Sequence, residues 1–456
     1  MSVETVIREG LIATVEATFR ADIGIDQGRI CAIAEHVQGR EVIDATGCVV
    51  VPGAIDVHTH FETGLGDSVT ADDYESGSRA AAFGGITTYV NYAFQDEGKS
   101  LGQALDREAA KAAPKSYVDD SFRLVVTRVD ADVLAEFEAV RDAGFSSVKL
   151  FTAVPGFQLG GDDVLAVVGR AANTGMLVNV HAEDGALVEH LTARLVGEGR
   201  FEMDALPEAL RPGRGARNRE ARDLRRAAGL PDLLRPSVVG LCARGGAGGR
   251  VAPSSTSRRG RSTSSTTTGS TTCPGTRRAS TSPGRPCAGR PTARRCGQPW
   301  RAARPRPARP TTRPGCSRRK PTRRSASRAS PAASPTSRRI LGMLYSEGVR
   351  RGRLSLSQLV AVTSTNPAKL FGMWPRKGTI AVGADADFAI IDPEHRLRIT
   401  SERMQSRSDF DPYEGLEAVG WPVKTVVRGR VVVDRGRLAA AQGSGELIWR
   451  GAYNRP

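Results

Sequence analysis

The 98 residues from Cys242 to Arg339 contain 24 Lys and Arg and no Asp or Glu, and this stretch limits what the chain can fold into. It also holds 13 of the 26 prolines and 5 of the 7 cysteines. Its large apolar residues are Val251 and Trp300; Arg, Pro, Ser, Thr, Gly and Ala supply nearly all the rest. Such a segment cannot bury enough apolar surface to offset the entropy of ordering it. It reads as disordered, or as a stretch not meant to be protein. A core must therefore come from the flanks. The formal charge of +16 is local as well, because the remainder of the chain carries 41 basic and 49 acidic residues.

The flanks have ordinary patterning. Ala21 to Glu35 reads as a hairpin with a turn near Asp26–Gly28. Gly47 to Phe61 (GCVVVPGAIDVHTHF) reads as an apolar strand ending in polar groups. Further strands are expected at Thr87–Ala93, Phe122–Val126, Val148–Ala153 and Met176–His181. Helical spacing falls between them, at Asp72–Ala82, Leu134–Asp142, Asp163–Ala172 and Gly185–Gly197. Strands alternating with helices predict a parallel α/β sheet with both faces covered. Five such units in about 150 residues favour a TIM-like (β/α)8 barrel, whose chemistry sits at the C-terminal ends of the strands. After Ile340 the pattern resumes, with a helix over Ser355–Phe371, a strand at Ala386–Ile391 and a hairpin within Val423–Leu438. Both ends of the chain are thus β-rich, as if they share one small sheet domain. No run of 18 apolar residues is present and Met1–Asp22 lacks a secretory pattern, so a cytoplasmic protein without a membrane span is expected.

Three strand ends carry candidate chemistry. In Asp56-Val57-His58-Thr59-His60, residues two apart on a strand share a face, so His58 and His60 can reach one metal with Asp56 orienting them from behind. The same histidines could instead be exposed or packed. Lys149 in SSVKLFTA could lie at a strand edge with its ammonium in water. If buried, its pKa falls, and the neutral amine can take up carbon dioxide to become a metal-bridging carbamate. His181, closing MLVNVHAEDG, is either a structural histidine or a further ligand. Imidazole with carboxylate suits zinc, and also manganese or iron.

The motifs VVVPGAIDVHTHF, SSVKLFTA, VNVHAEDG, TSTNPAKLFGMWPRKGTIAVGADADFAIIDP and DFDPYEGLEAVGWPVKTVVRGRVVVDRGR resemble the dihydropyrimidinase/hydantoinase branch of the cyclic amidohydrolases. The resemblance covers roughly 1–212 and 340–456. It implies a composite β-sandwich domain from 1–51 and 375–456, and a metal-dependent hydrolase barrel over 52–374 of which about 213–339 is anomalous. It implies two divalent ions, zinc by preference, with His58 and His60 on the first, a carbamate on Lys149 bridging the pair and His181 on the second. A hydroxide held by both ions would open a cyclic amide to an N-carbamoyl amino acid. Lys149 and Asp56 are the candidate catalytic positions, and a homotetramer is the implied assembly.

The family pattern also needs a His on strand 6 and an Asp on strand 8. The histidines are 36, 58, 60, 181, 190 and 395, and no acid occurs from Leu233 to Ser346. Val154 stands where dihydropyrimidinases place a substrate-facing Tyr. Barrel strands 6–8 thus look lost in the anomalous segment, and the chain as written is expected to be impaired. GC-rich codons read in a shifted frame yield Arg, Pro, Ala, Gly, Ser and Thr, so 213–339 reads as a frameshifted stretch. The alternative takes it at face value: a degenerate amidohydrolase scaffold carrying a basic, nucleic-acid-binding insert, although Trp300 alone offers base stacking. Cys31 and Cys48 read as buried thiols rather than a disulfide.

Overall fold

The computed structural model describes residues 2–65, 68–200, 205, 208 and 337–452. Most of the anomalous segment, and with it the question of strands 6–8, lies outside the described residues. Its last residues do not: Ser337–Met343 is a helix, so 337–339, expected to be anomalous, are in regular structure.

A five-stranded parallel sheet carries the candidate site. Its strands, in chain order, are β1 (Ala54–Asp56), β2 (Ile86–Phe94), β3 (Asp119–Val125), β4 (Ser147–Phe151) and β5 (Leu177–His181), and they lie side by side in that order. Between and after them run α1 (Tyr74–Phe83), α2 (Leu101–Ala112), α3 (Ala131–Asp142), α4 (Gly161–Thr174) and α5 (Gly185–Gly197). The helix starts are fixed by side chains that accept from otherwise unpaired amides. Asp73 with Ser76 and Ser100 with Gln103 form capping boxes, while Asp130 and Asp184 cap α3 and α5.

Strand alternation sorts the sheet's two faces. Phe122, Leu124, Val148 and Leu150 share one core with Phe137 and Val140 of α3. The residues between them, Arg123, Val125, Lys149 and Phe151, face the other way. Tyr92, Val125 and Phe151 form a separate cluster on that inner face. Register sets the neighbours there: Tyr92 pairs with Arg123, Val125 with Lys149, and Phe151 with His181.

The apolar run expected as one strand is two. Val49–Pro52 joins a seven-stranded sheet, and β1 joins the parallel one. Gly53 makes the transition, because a Cβ there would collide with the Thr87 side chain. The seven-stranded sheet also takes Leu11–Ala13 and Thr18–Arg20 from the start of the chain, and Phe388–Arg398, Glu417–Val427, Arg430–Asp434 and Arg437–Leu438 from its end. A four-stranded sheet (Val3–Arg8, Asp22–Asp26, Arg29–Ala34, Gly39–Asp44) shares with it a core of Ile7, Ile23, Ile25, Val50, Phe388 and Val426. The expected hairpin is Asp22–Asp26 with Arg29–Ala34. Cys31 on it is exposed, contrary to expectation, because it lies on the solvent side of an edge strand; Cys48 is buried, and both are free thiols.

Polar contacts tie the base of the parallel sheet to the C-terminal part of the chain. Lys377 is 1 % exposed and places Nζ 2.6 Å from Asp119, 2.6 Å from Asp387 and 3.0 Å from Asp385. Arg450 donates from Nε and Nη1 to Ser121 and Ser147, both at 2.9 Å. No helix among the described residues is long and apolar enough to cross a membrane.

Candidate metal centre

The sequence places His58 and His60 on a strand. The structure ends β1 at Asp56, and both histidines follow it outside any strand. They nevertheless meet: their ring centres are 5.2 Å apart. Backbone hydrogen bonding is replaced here by side chains. Asp56 accepts from the His58 amide at 3.1 Å and from Ser337 Oγ at 2.6 Å. Asn91 brackets the next turn, accepting from Phe61 N at 3.0 Å and donating to Phe61 O at 3.1 Å. Thr59 donates to the same Asn91 oxygen at 3.1 Å. Arg123 Nη2 donates to Val57 O at 2.8 Å.

Burial makes this an electrostatically unusual place. Desolvation, together with the charges of Lys149 and Arg123, holds His60 down at a pKa of about 4. Surrounding protein, His60 and the same cations push His58 well below the usual imidazole value, even though water reaches its ring at the mouth of the sheet. Both rings are therefore neutral near pH 7, with a lone pair free for an ion. Asp56 is pushed up by burial, and the Ser337 and His58 hydrogen bonds pull it back. Lys149 is 3 % exposed, and burial plus the Arg123 charge bring its amine down to about 7.

Lys149 and His181 meet at one ring. Lys149 Nζ lies 4.9 Å from the centre of Phe151, and the His181 ring centre lies 5.6 Å from it. His181 sits at the end of β5 as expected, but its Nε2 is 3.0 Å from Glu183 Oε2. Among the described residues no three His, Cys, Asp or Glu side chains converge as a metal-holding group. The structure thus brings His58 to His60 and Lys149 to His181, within electrostatic reach of each other, without closing them into one cluster.

Amidohydrolase family patterns match residues 49–215 and 337–433. The D-hydantoinase of Geobacillus stearothermophilus is 33 % identical over 98 % of this chain and 96 % of its own length. That of Ralstonia pickettii is 33 % identical over 99 % of both. This chain belongs to the hydantoinase branch of the amidohydrolase family. The fold agrees: the dihydropyrimidinase of Brevibacillus agri superposes with a TM-score of 0.75 at 26 % identity, covering 99 % of this chain and 100 % of that one. A D-hydantoinase from a Bacillus species gives 0.75 at 28 % identity, with 99 % and 100 % covered. The parallel sheet of this amidohydrolase is accordingly part of the TIM-barrel architecture of its relatives.

Four residues around the site escaped the sequence reading: Tyr92, Asn91, Arg123 and Ser337. Arg123 left a trace, since a lone cation between Phe122 and Leu124 in an apolar strand needs an inward partner. The others carry no local signal, because their roles depend on cross-strand register.

Proposed function

We propose that this amidohydrolase hydrolyses a cyclic amide, a dihydropyrimidine, hydantoin or related ring, to an N-carbamoyl amino acid. The observation that supports it most is the set of nitrogen donors gathered at the strand ends, with Lys149 buried, His60 half-buried and His58 at the exposed mouth. His58 and His60 face each other, His60 Nδ1 is buried without a hydrogen-bond partner among the described residues, and the Lys149 amine is neutral at a pH far below its usual range. That set fits divalent ions, zinc by its nitrogen and carboxylate chemistry. His58 and His60 would hold one, His181 the other after release from Glu183, and Lys149 both. When bound, the ions would acidify a water and offset the charge on the opening carbonyl.

The protein's own residues do the rest. The neutral Nζ of Lys149, about half the population at pH 7, adds to carbon dioxide, forms an N–C bond and loses a proton to solvent, leaving a carboxylate. Asp56 acts through the backbone, holding the His58 amide and Ser337 rather than the reacting atoms. A cavity of about 400 Å³ that shares Tyr92 with the histidine pair is lined by Phe61, Tyr92, Phe94 and Phe157 and by the polar or charged Glu62, Thr63, Gln95, Asp96, Arg107, Glu108 and Lys111. That size suits a small ring. Net hydrolysis adds the water oxygen to the ring carbonyl carbon, breaks the ring C–N bond and puts a proton on the departing nitrogen.

The domain assignment belongs to the same reading. Residues 1–51 and 375–456 form the composite sandwich, on the support of the two sheets and their shared core, and 52–374 form the barrel. The family patterns stop at 215 and resume at 337, while the relatives align over nearly the whole length. A reading frame shifted out and back in between accounts for both facts. It leaves the chain as written without the strand 6 His and strand 8 Asp, hence impaired. The test is hydrolysis of dihydrouracil and hydantoin by the purified chain with zinc and bicarbonate, read as carbamoyl product. Slow turnover abolished in Lys149→Met supports the reading; equal turnover in both contradicts it.

A further inference from the structure

The histidine pair has a support that neither its sequence motif nor the proposed reaction assigns. Ligand histidines are ordinarily oriented by a hydrogen bond from the ring nitrogen that does not bind the ion. His60 Nδ1 has no such partner among the described residues. What it has is an aromatic neighbour. The Tyr92 ring stacks on His60 at 4.7 Å between centres and 28° between planes, and it meets His58 edge-on at 5.3 Å and 80°. One phenol therefore packs against both imidazoles, one stacked and one edge-on.

Tyr92 is held in turn. It pairs in register with Arg123 on the next strand, and Arg123 Nη1 donates to its hydroxyl at 3.1 Å. The other terminal nitrogen, Nη2, donates at 2.8 Å to the carbonyl of Val57, the residue before His58. Phe371 lies under the same guanidinium at 4.7 Å. Tyr92 and Arg123 are each 2 % exposed. A planar fork with fixed donors can hold two acceptors at once, which a lysine cannot. So a single buried cation fixes both the backbone entering the motif and the ring lying against it.

We propose that Tyr92 and Arg123 are positioning residues for the His58–His60 pair: Arg123 clamps Val57 and the Tyr92 hydroxyl, and the Tyr92 ring sets the imidazole planes so that both histidines face one divalent ion. The inference rests on the metal-site reading for its purpose. Its geometry can be tested without a metal.

The experiment compares the wild-type chain with Tyr92→Phe, Tyr92→Leu, Arg123→Lys and Arg123→Met, each first checked by circular dichroism. In the metal-free protein, imidazole proton lines assigned with His58→Gln and His60→Gln report the ring current of Tyr92. They should shift in Tyr92→Leu and stay in Tyr92→Phe. With cobalt as the probe, competition against a chromophoric chelator should show about 10- to 100-fold weaker binding in Tyr92→Leu and Arg123→Met, with a changed visible spectrum. Tyr92→Phe should stay within about threefold, since it keeps the stacking surface. Arg123→Lys should fall between, because an ammonium holds one acceptor well and not both. Unchanged imidazole lines in Tyr92→Leu overturn the proposal, as does unchanged cobalt affinity and spectrum in that variant. If the wild-type chain binds no cobalt, the metal-site reading fails, and the metal-free spectra decide the positioning claim alone.

Discussion

Ser337 donates a 2.6 Å hydrogen bond to Asp56 across 281 residues of sequence. A residue near the end of the acid-free stretch, at the start of a described helix, thus holds the carboxylate that anchors the histidine motif. Ser337→Ala would leave that buried carboxylate with one fewer donor. The expected cost is about 1–3 kcal/mol, read as a lower unfolding midpoint, with weaker zinc binding because the His58 turn loosens. Asp56→Ala should weaken zinc binding more, since it also frees the His58 amide. Equal zinc affinity in both variants and the wild-type chain would remove Asp56 from the support of the site.

Arg338, next to it, shows the opposite situation. Its side chain is buried over Phe83 at 4.8 Å, and Nε and Nη1 have no partner among the described residues. Burial alone lowers its pKa to about 9. A buried cation with two of its three nitrogens unmatched among the described residues is destabilising, so Arg338→Met should raise stability by roughly 1–3 kcal/mol, measured by urea unfolding. A lower midpoint in that variant would show that the guanidinium is satisfied after all. The wrong-frame reading of the preceding segment is consistent with a misfit at its very end.

Lys377 is the reverse again, a buried cation fully matched. Lys377→Met would leave Asp119, Asp385 and Asp387 crowded without their shared ammonium, and only Asp119 and Asp385 keep arginine partners. Breaking a buried ion group in this way costs on the order of 3–5 kcal/mol, enough to unfold a marginal domain. Thermal melting and the yield of folded protein measure it. A variant that melts like the wild-type chain would mean the cluster is solvated and mechanically unimportant.

Asp120 gives the chain a pH signature. It is 2 % exposed, and burial raises its carboxyl to about 7 against an opposing hydrogen bond from Ser116. The folded state then holds this proton more tightly than the unfolded one between pH about 4 and about 7. Its contribution to stability is full below pH 4 and is lost as pH rises through 7, by roughly 4 kcal/mol at most. Asp120→Asn removes the titration. The stability of the variant relative to the wild-type chain should therefore rise from pH 4 to pH 8. A constant difference across that range would show that Asp120 does not carry the proton.

Much of this architecture is legible in the sequence, for a physical reason. Parallel strands buried on both faces read as apolar runs, so β2 to β5 fall within a few residues of their expected places. The α2 helix (Leu101–Ala112) goes unread, although Leu101, Ala104 and Leu105 recur at helical spacing on its buried side and Ser100 with Gln103 caps its start. The split at Gly53 is likewise invisible, since a strand that changes sheets keeps its apolar pattern. At the site, His58, His60, Lys149 and His181 can be picked by residue type and position at strand ends. Tyr92 and Arg123 cannot, because a tyrosine in ITTYVNYAF looks like core until register sets it against a histidine.

The translated segment is testable on its own. If roughly 213–339 is a shifted frame, one of the other two frames of the encoding DNA should give apolar strands, a strand-end His and a later Asp-His. Two empty frames would leave the basic stretch as genuine protein and favour a nucleic-acid-binding insert on a degenerate scaffold.

The central claim is that His58, His60 and Lys149 hold a divalent ion on a carboxylated lysine. Zinc content per chain, measured by mass spectrometry after equilibrium dialysis with and without bicarbonate, addresses it most directly. The account predicts bound zinc that increases with bicarbonate, drops in Lys149→Met to the bicarbonate-free level, and falls by at least one ion per chain when His58 and His60 are both replaced by Gln. Zinc binding that is absent in the wild-type chain, or indifferent to bicarbonate and to these substitutions, would contradict it.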